Sequence, residues 1–108
     1  MKRVLFICSG NKDRSPTAEH LFSSYSSIDV SSACTRPDAD ERVSSEQVLW
    51  ADIIFVMENR HRKALMDTFP NEMKDKKIIN LEIPDNYVFM DEKLVAVLKQ
   101  KVERHLSS

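Results

Sequence analysis

Val4-Leu5-Phe6-Ile7-Cys8-Ser9-Gly10-Asn11-Lys12-Asp13-Arg14-Ser15-Pro16 is the stretch on which the architecture turns. Val4 to Ile7 is a short apolar run rich in β-branched residues, bounded by charge on one side and turn formers on the other. Such a run predicts a strand buried on both faces. After the loop, Ser15 is a natural N-cap and Pro16 suits the first helical position, where a missing N–H costs nothing. Ala18, Leu21, Phe22 and Tyr25 follow at helical spacing, so a helix is expected over about 16–25. The unit is strand, tight loop, helix.

The remaining chain repeats that alternation. Ile28 to Ala33 is a weak strand candidate, and Thr35 to Arg42 is a loop rich in turn formers and charge. Ser44 with Gln47 makes a capping box for a short helix carrying Val48, Leu49 and Trp50. Ile53 to Met57 is an uninterrupted apolar run and hence a buried strand. Asn59 is the expected cap of a helix that holds Ala64, Leu65 and Phe69 until Pro70 stops it. Ile78 to Leu81 reads as a fourth strand, and Glu82 to Met90 as a loop. Leu94, Leu98, Val102 and Leu106 then recur every fourth residue in a terminal amphipathic helix, with Lys99, Lys101 and Arg104 facing out. Strands alternating with helices predict a three-layer α/β/α sandwich with a central four-stranded parallel sheet and right-handed crossovers. The expected organisation is a single domain over 1–108.

Bulk properties narrow the functional classes. Hydrophobic residues are 42% and charged residues 31%, with both signs interleaved and a formal net charge of -1, so no overall field favours nucleic acid or an anionic membrane surface. Any anion site must be local. Cys8 and Cys34 are too few for a disulfide framework and point to thiols in a reducing compartment. Four apolar residues before Cys8 are too short for a signal peptide, and no segment approaches membrane-spanning length, so a cytoplasmic, soluble protein is expected.

In a parallel α/β sheet, ligands sit beyond the carboxyl ends of the strands, where loops turn into helices. Cys8 to Arg14 holds that position after the first strand. Gly10 is the only glycine of the chain, and its freedom at positive φ suits a loop whose amides must converge on one point, with Asn11 beside it. Together with the unpaired N–H groups of the following helix, such a loop suits a phosphate-like oxyanion. Arg14 can fork onto two oxygens, and Cys8 at the base would be held as thiolate by the helix end, Arg14 and the Ser15 hydroxyl. The expected anion contacts are Ser9, Gly10, Asn11, Lys12, Asp13, Arg14 and Ser15, with inorganic phosphate, sulfate or vanadate as occupant and no metal or other cofactor required. The plainer alternative is a buried structural cysteine before an ordinary strand-to-helix loop.

The run Val4 to Glu19 resembles the amino-terminal signature of the low-molecular-weight protein tyrosine phosphatases. Ser32-Ala33-Cys34-Thr35 and Ala51 to Met57 are similar to that family's second and third strand regions, in a short variant whose substrate-shaping insertions are reduced or missing. The resemblance implies a phosphocysteine mechanism: Cys8 as nucleophile, Arg14 on the equatorial oxygens, Ser15 supporting the thiolate. It further implies an acid from an Asp-Pro-aromatic loop before the last helix. Asp85-Asn86-Tyr87 matches with asparagine in place of proline, making Asp85 the expected general acid and base and Tyr87 a wall for the substrate ring. The implied substrate is a phosphorylated protein or small phosphoester.

Some positions depart from the family. Asp13 stands where many members carry a second cysteine, and it is expected to face solvent or a basic partner, since a carboxylate near Cys8 would oppose the thiolate. Cys34 replaces a common glycine and reads as a buried strand cysteine rather than a resolving thiol. Arg60-His61-Arg62-Lys63 reads as a solvated helix face, with Asp91 as cap of the last helix. Two other functions fit parts of the pattern: an arsenate reductase-like enzyme, which needs more cysteines than Cys34 to relay electrons, and a noncatalytic phosphate-binding module in which Asp13 blunts the thiolate.

Overall fold

The structure, a computed structural model, describes residues 2–9, 13–36, 42–84 and 86–106. Strands and helices alternate along the chain as β1 (Lys2–Cys8), α1 (Arg14–Phe22), β2 (Ile28–Cys34), α2 (Ser45–Trp50), β3 (Ile53–Val56), α3 (Asn59–Thr68), β4 (Lys77–Asn80) and α4 (Glu92–Leu106). The four strands form one sheet in the order β2-β1-β3-β4, and every pairing is parallel. The expected fold class is the one observed.

The two faces of β1 explain its unbroken apolar run. Val4, Phe6 and Cys8 point into one core with Phe22, Phe55, Leu94, Leu98 and Val102, under α1 and α4. Leu5 and Ile7 point into a second core with Val48, Ile54, Val56 and Leu65, on the α2 and α3 side. A strand covered on both sides has no solvent face on which polar residues could alternate. Phe6 is the centre of the first core, stacked between Phe22 and Phe55 with ring centroids 5.7 and 5.3 Å away.

Local rules set most boundaries. Ser44 caps α2, with the Gln47 amide donating to its hydroxyl and its own N–H donating to the Gln47 side chain. In α4, Leu94, Leu98 and Val102 are buried as the four-residue spacing requires, and Asp91 Oδ1 accepts from the Lys93 amide at the helix start. Two starts differ from expectation. Helix α1 begins at Arg14, so Ser15 and Pro16 lie within its first turn rather than at its edge, and Asp13 takes the N-cap position without a side-chain cap bond. Helix α3 is capped by Glu58, not Asn59. Among the described residues, no helix is long and apolar enough to cross a membrane.

Phe6→Ala should lower unfolding free energy by about 3–5 kcal/mol, since it empties a ring-sized space between two rings that cannot close on each other. Urea denaturation followed by Trp50 fluorescence measures this, and a loss under about 1 kcal/mol would mean that Phe6 is not the centre of the first core.

Candidate active site

The carboxyl ends of β1 and β3 and the segment after β4 meet at one edge of the sheet, and Cys8 ends the first of them. Its thiol is completely buried. The start of the loop is pinned by the neighbouring chains. Thr35 and Arg36 amides donate to the Cys8 and Ser9 carbonyls at 2.9 and 2.7 Å, and the Met57 amide to Ile7 at 3.1 Å. Such backbone bonds fix where the chain leaves the sheet, and with it the direction of the Cys8 side chain.

Among the described residues, three groups face the sulfur. Cys34, its register partner across β1 and β2, has its own sulfur 3.8 Å away. Ser15 presents both its hydroxyl and its backbone N–H, and the Arg14 guanidinium adds positive charge. Burial by itself would raise the thiol pKa, but these groups outweigh it: the Cys34 hydrogen bond most, then Ser15 and Arg14, bringing Cys8 down from 9.0 to about 6. A difference of that size is worth on the order of 4 kcal/mol to the charged form. The surroundings of Cys8 thus favour its thiolate over its thiol. The position of Ser15 inside α1 explains its part: its Oγ is fully buried and turned to the sulfur instead of capping the helix.

Arg14 is fully buried, and its Nη1 donates to Glu58 Oε1 at 2.7 Å and to the Ile83 carbonyl at 2.8 Å. The Arg14 bond is the main reason that the Glu58 carboxyl is held below the ordinary carboxylate range, with Arg60, 2.8 Å from the same oxygen, adding to it. Ile83 is delivered by a loop that passes through left-handed backbone at Glu82 (φ 55), a conformation ordinarily avoided by side chains of its size. Amides of Leu81 and Ile83 donate to Val56 and Met57 and hold it there. Further along the same loop, the Met90 amide donates to Thr17 Oγ1 on α1.

His61 corrects the expectation of a solvated cluster at 60–63. Arg60, Arg62 and Lys63 are exposed, but His61 is only 1% exposed. Its Nδ1 accepts from the Glu58 amide at 3.0 Å, so the ring proton belongs on Nε2, which donates to Ser9 Oγ at 2.8 Å. The ring thus ties the first residue of the loop to the start of α3. Ser9, His61, Thr35, Arg36 and Arg60 line an open hollow of about 410 Å³ beside it. Among the described residues, no group of three or more His, Cys, Asp or Glu side chains is placed to hold a metal ion.

Of the residues expected from sequence, Cys8, Ser9, Asp13, Arg14 and Ser15 are gathered at this edge. Asp13 is half-buried there, its carbonyl accepting from Thr17 Oγ1. Tyr87 is half-buried against the first core. Gly10, Asn11, Lys12 and Asp85 lie outside the described residues. Cys34 is the buried strand cysteine expected, but its contact with Cys8 was not. Glu58, His61 and the Ile83 carbonyl went unrecognised; the signal for the first two was their place directly after β3, at the carboxyl edge where ligand sites form.

A parallel α/β sheet with a buried cysteine and arginine at its first strand-to-helix turn defines the class, and comparison with solved structures gives it a name: the fold is that of the low-molecular-weight protein tyrosine phosphatases. The tyrosine phosphatase Wzb from Escherichia coli K30, in complex with phosphate, is 25% identical over 98% of this chain and 96% of its own, with a TM-score of 0.77. A protein tyrosine phosphatase from Entamoeba histolytica, in a product state mimic, is 23% identical over 99% and 94%, with a TM-score of 0.80. YwlE arginine phosphatase from Geobacillus stearothermophilus is 19% identical over 99% and 94%, with a TM-score of 0.77. No family model matches the chain, and no curated protein matches it.

Cys34→Ala removes the largest of the groups favouring the thiolate, so the pH midpoint for Cys8 ionisation should rise from about 6. Ultraviolet absorbance of the thiolate across a pH titration reads this directly. A midpoint unmoved by the substitution would show that Ser15 and Arg14 suffice without Cys34.

Proposed function

We propose that this protein is a cysteine-dependent phosphatase that hydrolyses phosphomonoesters through a phosphocysteine intermediate. The observation that carries the proposal is a buried cysteine at the end of β1, drawn toward its thiolate by Cys34, Ser15 and Arg14, beside a buried arginine locked in place by Glu58 and Ile83. The thiolate is the nucleophilic form of cysteine, so surroundings that favour it suit a residue that attacks phosphorus. The likeness to Wzb, solved with phosphate, and to other phosphatases of this fold supports the same reading.

In this mechanism the Cys8 sulfur attacks phosphorus and the bond to the leaving oxygen breaks. Asp85 gives that oxygen its proton, then takes one from the water that attacks the phosphocysteine, and Cys8 departs again as thiolate. Amides of residues 9–15 would carry the equatorial oxygens, with phosphate, sulfate or vanadate able to occupy the same place. Arg14, anchored through Nη1, would turn the Nε and Nη2 edge of its fork to two of those oxygens. Ser15 stabilises the thiolate both as it forms and as it leaves. Tyr87, fixed on one side by the core, would offer its other side to a substrate ring.

An aryl phosphate, including protein phosphotyrosine, is the substrate class proposed, with 1–108 acting as one cytoplasmic domain. Phosphoarginine is the second reading, because YwlE, an arginine phosphatase, shares the fold.

Turnover of a simple aryl phosphate in chelator should be robust for the wild type, fall to background for Cys8→Ser, and drop about 10²–10⁴-fold for Asp85→Asn. Full activity in Cys8→Ser would overturn the mechanism. A wild type silent on aryl phosphate but active on phosphoarginine would move the substrate class, and one silent on both would point to a binding module.

A further inference from the structure

Cys8 and Cys34 end adjacent strands on the same rung of the ladder, with their sulfurs 3.8 Å apart. Neighbouring strands run about 4.8 Å apart, within the roughly 4.4–6.8 Å between Cα atoms that a disulfide spans. Closing the sulfurs from 3.8 Å to a bond of about 2.05 Å therefore asks for a short approach centred on side-chain rotation. Both side chains are buried, at 0% and 5% exposure, at the edge of the sheet where β1 and β2 end. They are the only two cysteines of the sequence. Most buried strand cysteines are inert because they are neutral thiols; a thiolate is the form that peroxide oxidises.

We propose that Cys8 and Cys34 constitute a redox modification site at which a hydroperoxide converts the pair to an intramolecular disulfide, reversibly withdrawing the nucleophile. The chemistry closes without a further reactant. The Cys8 thiolate attacks one peroxide oxygen, the O–O bond breaks, hydroxide leaves and Cys8 becomes a sulfenic acid. The Cys34 sulfur then attacks the Cys8 sulfur and the S–O bond breaks. The departing hydroxide carries off the proton of Cys34 as water. Two electrons pass from the sulfurs to the peroxide, giving a disulfide, one water and one hydroxide. A dithiol reverses it by exchange.

The second step has a protective consequence. A sulfenic acid left alone is open to a second peroxide, which gives a sulfinic acid that dithiols do not reduce. A thiol in van der Waals contact intercepts it in a unimolecular step, ahead of that encounter. The loss of activity rests on Cys8 being the nucleophile of the proposed phosphatase, whereas the disulfide itself does not.

The test treats the full chain with hydrogen peroxide, alkylates remaining thiols under denaturing conditions and measures intact mass alongside aryl phosphate turnover. The wild type should lose two hydrogens, take up no alkyl group, yield a peptide linking residues 8 and 34, and lose activity that dithiothreitol restores. Cys34→Ser and Cys34→Ala, checked for folding by circular dichroism, should instead accumulate sulfinic acid on Cys8 and lose activity irreversibly. Wild type in which Cys34 stays alkylatable while Cys8 gains oxygen would overturn the proposal. A disulfide in a chain that never hydrolyses phosphate would uphold the modification site and count against the phosphatase; an active enzyme without the disulfide would do the reverse.

Discussion

The fully buried Arg14 guanidinium is the constraint around which the carboxyl edge of the sheet is assembled. A charge removed from water is tolerated only when bonded to partners that replace its hydration. Glu58, at the start of α3, and the Ile83 carbonyl, after β4, supply two such bonds to Nη1. The arginine thereby joins the segments that follow β1, β3 and β4. Only the arginine side of the pair is fully buried, so removing Glu58 would strand the Arg14 charge away from water. Glu58 also begins the chain of contacts through His61 to Ser9, so the residue that orients the cation is linked to the residue that opens the loop.

Electrostatics at Cys8 follow from that assembly. Desolvation works against the thiolate, and it is overcome only because donors and positive charge are aimed at one atom by elements that could not be moved independently. Strand β2 brings the Cys34 thiol, helix α1 brings the Ser15 amide and hydroxyl, and the arginine adds its field. The chemistry of a nucleophile and the geometry of a two-thiol contact are thus consequences of the same register between β1 and β2.

Much of the fold was legible because the relevant signals are short in range. Apolar runs too brief for helices marked β1 and β3, which are buried on both faces, and the Ser44–Gln47 pair announced α2 without help from tertiary structure. The start of α1 was misplaced for a physical reason. A serine before a helical pattern looks the same whether it caps the helix or lies inside the first turn with its hydroxyl toward a buried sulfur on the preceding strand. His61 was hidden among three exposed basic neighbours, and only the helix's orientation singles it out. The contact between Cys8 and Cys34 spans 26 residues and depends on strand register; a slip of one residue would turn the second sulfur to the other face.

The central claim is that the Cys8 sulfur is the atom that receives a phosphoryl group, and rapid chemical quench of the protein with a phosphorus-labelled aryl phosphate tests it most directly. The account predicts label on a single peptide, bound through sulfur at Cys8, appearing before product is released and absent when Cys8 is replaced by alanine. Label on another residue, or product formed in a burst with no phosphorylated protein, would contradict it.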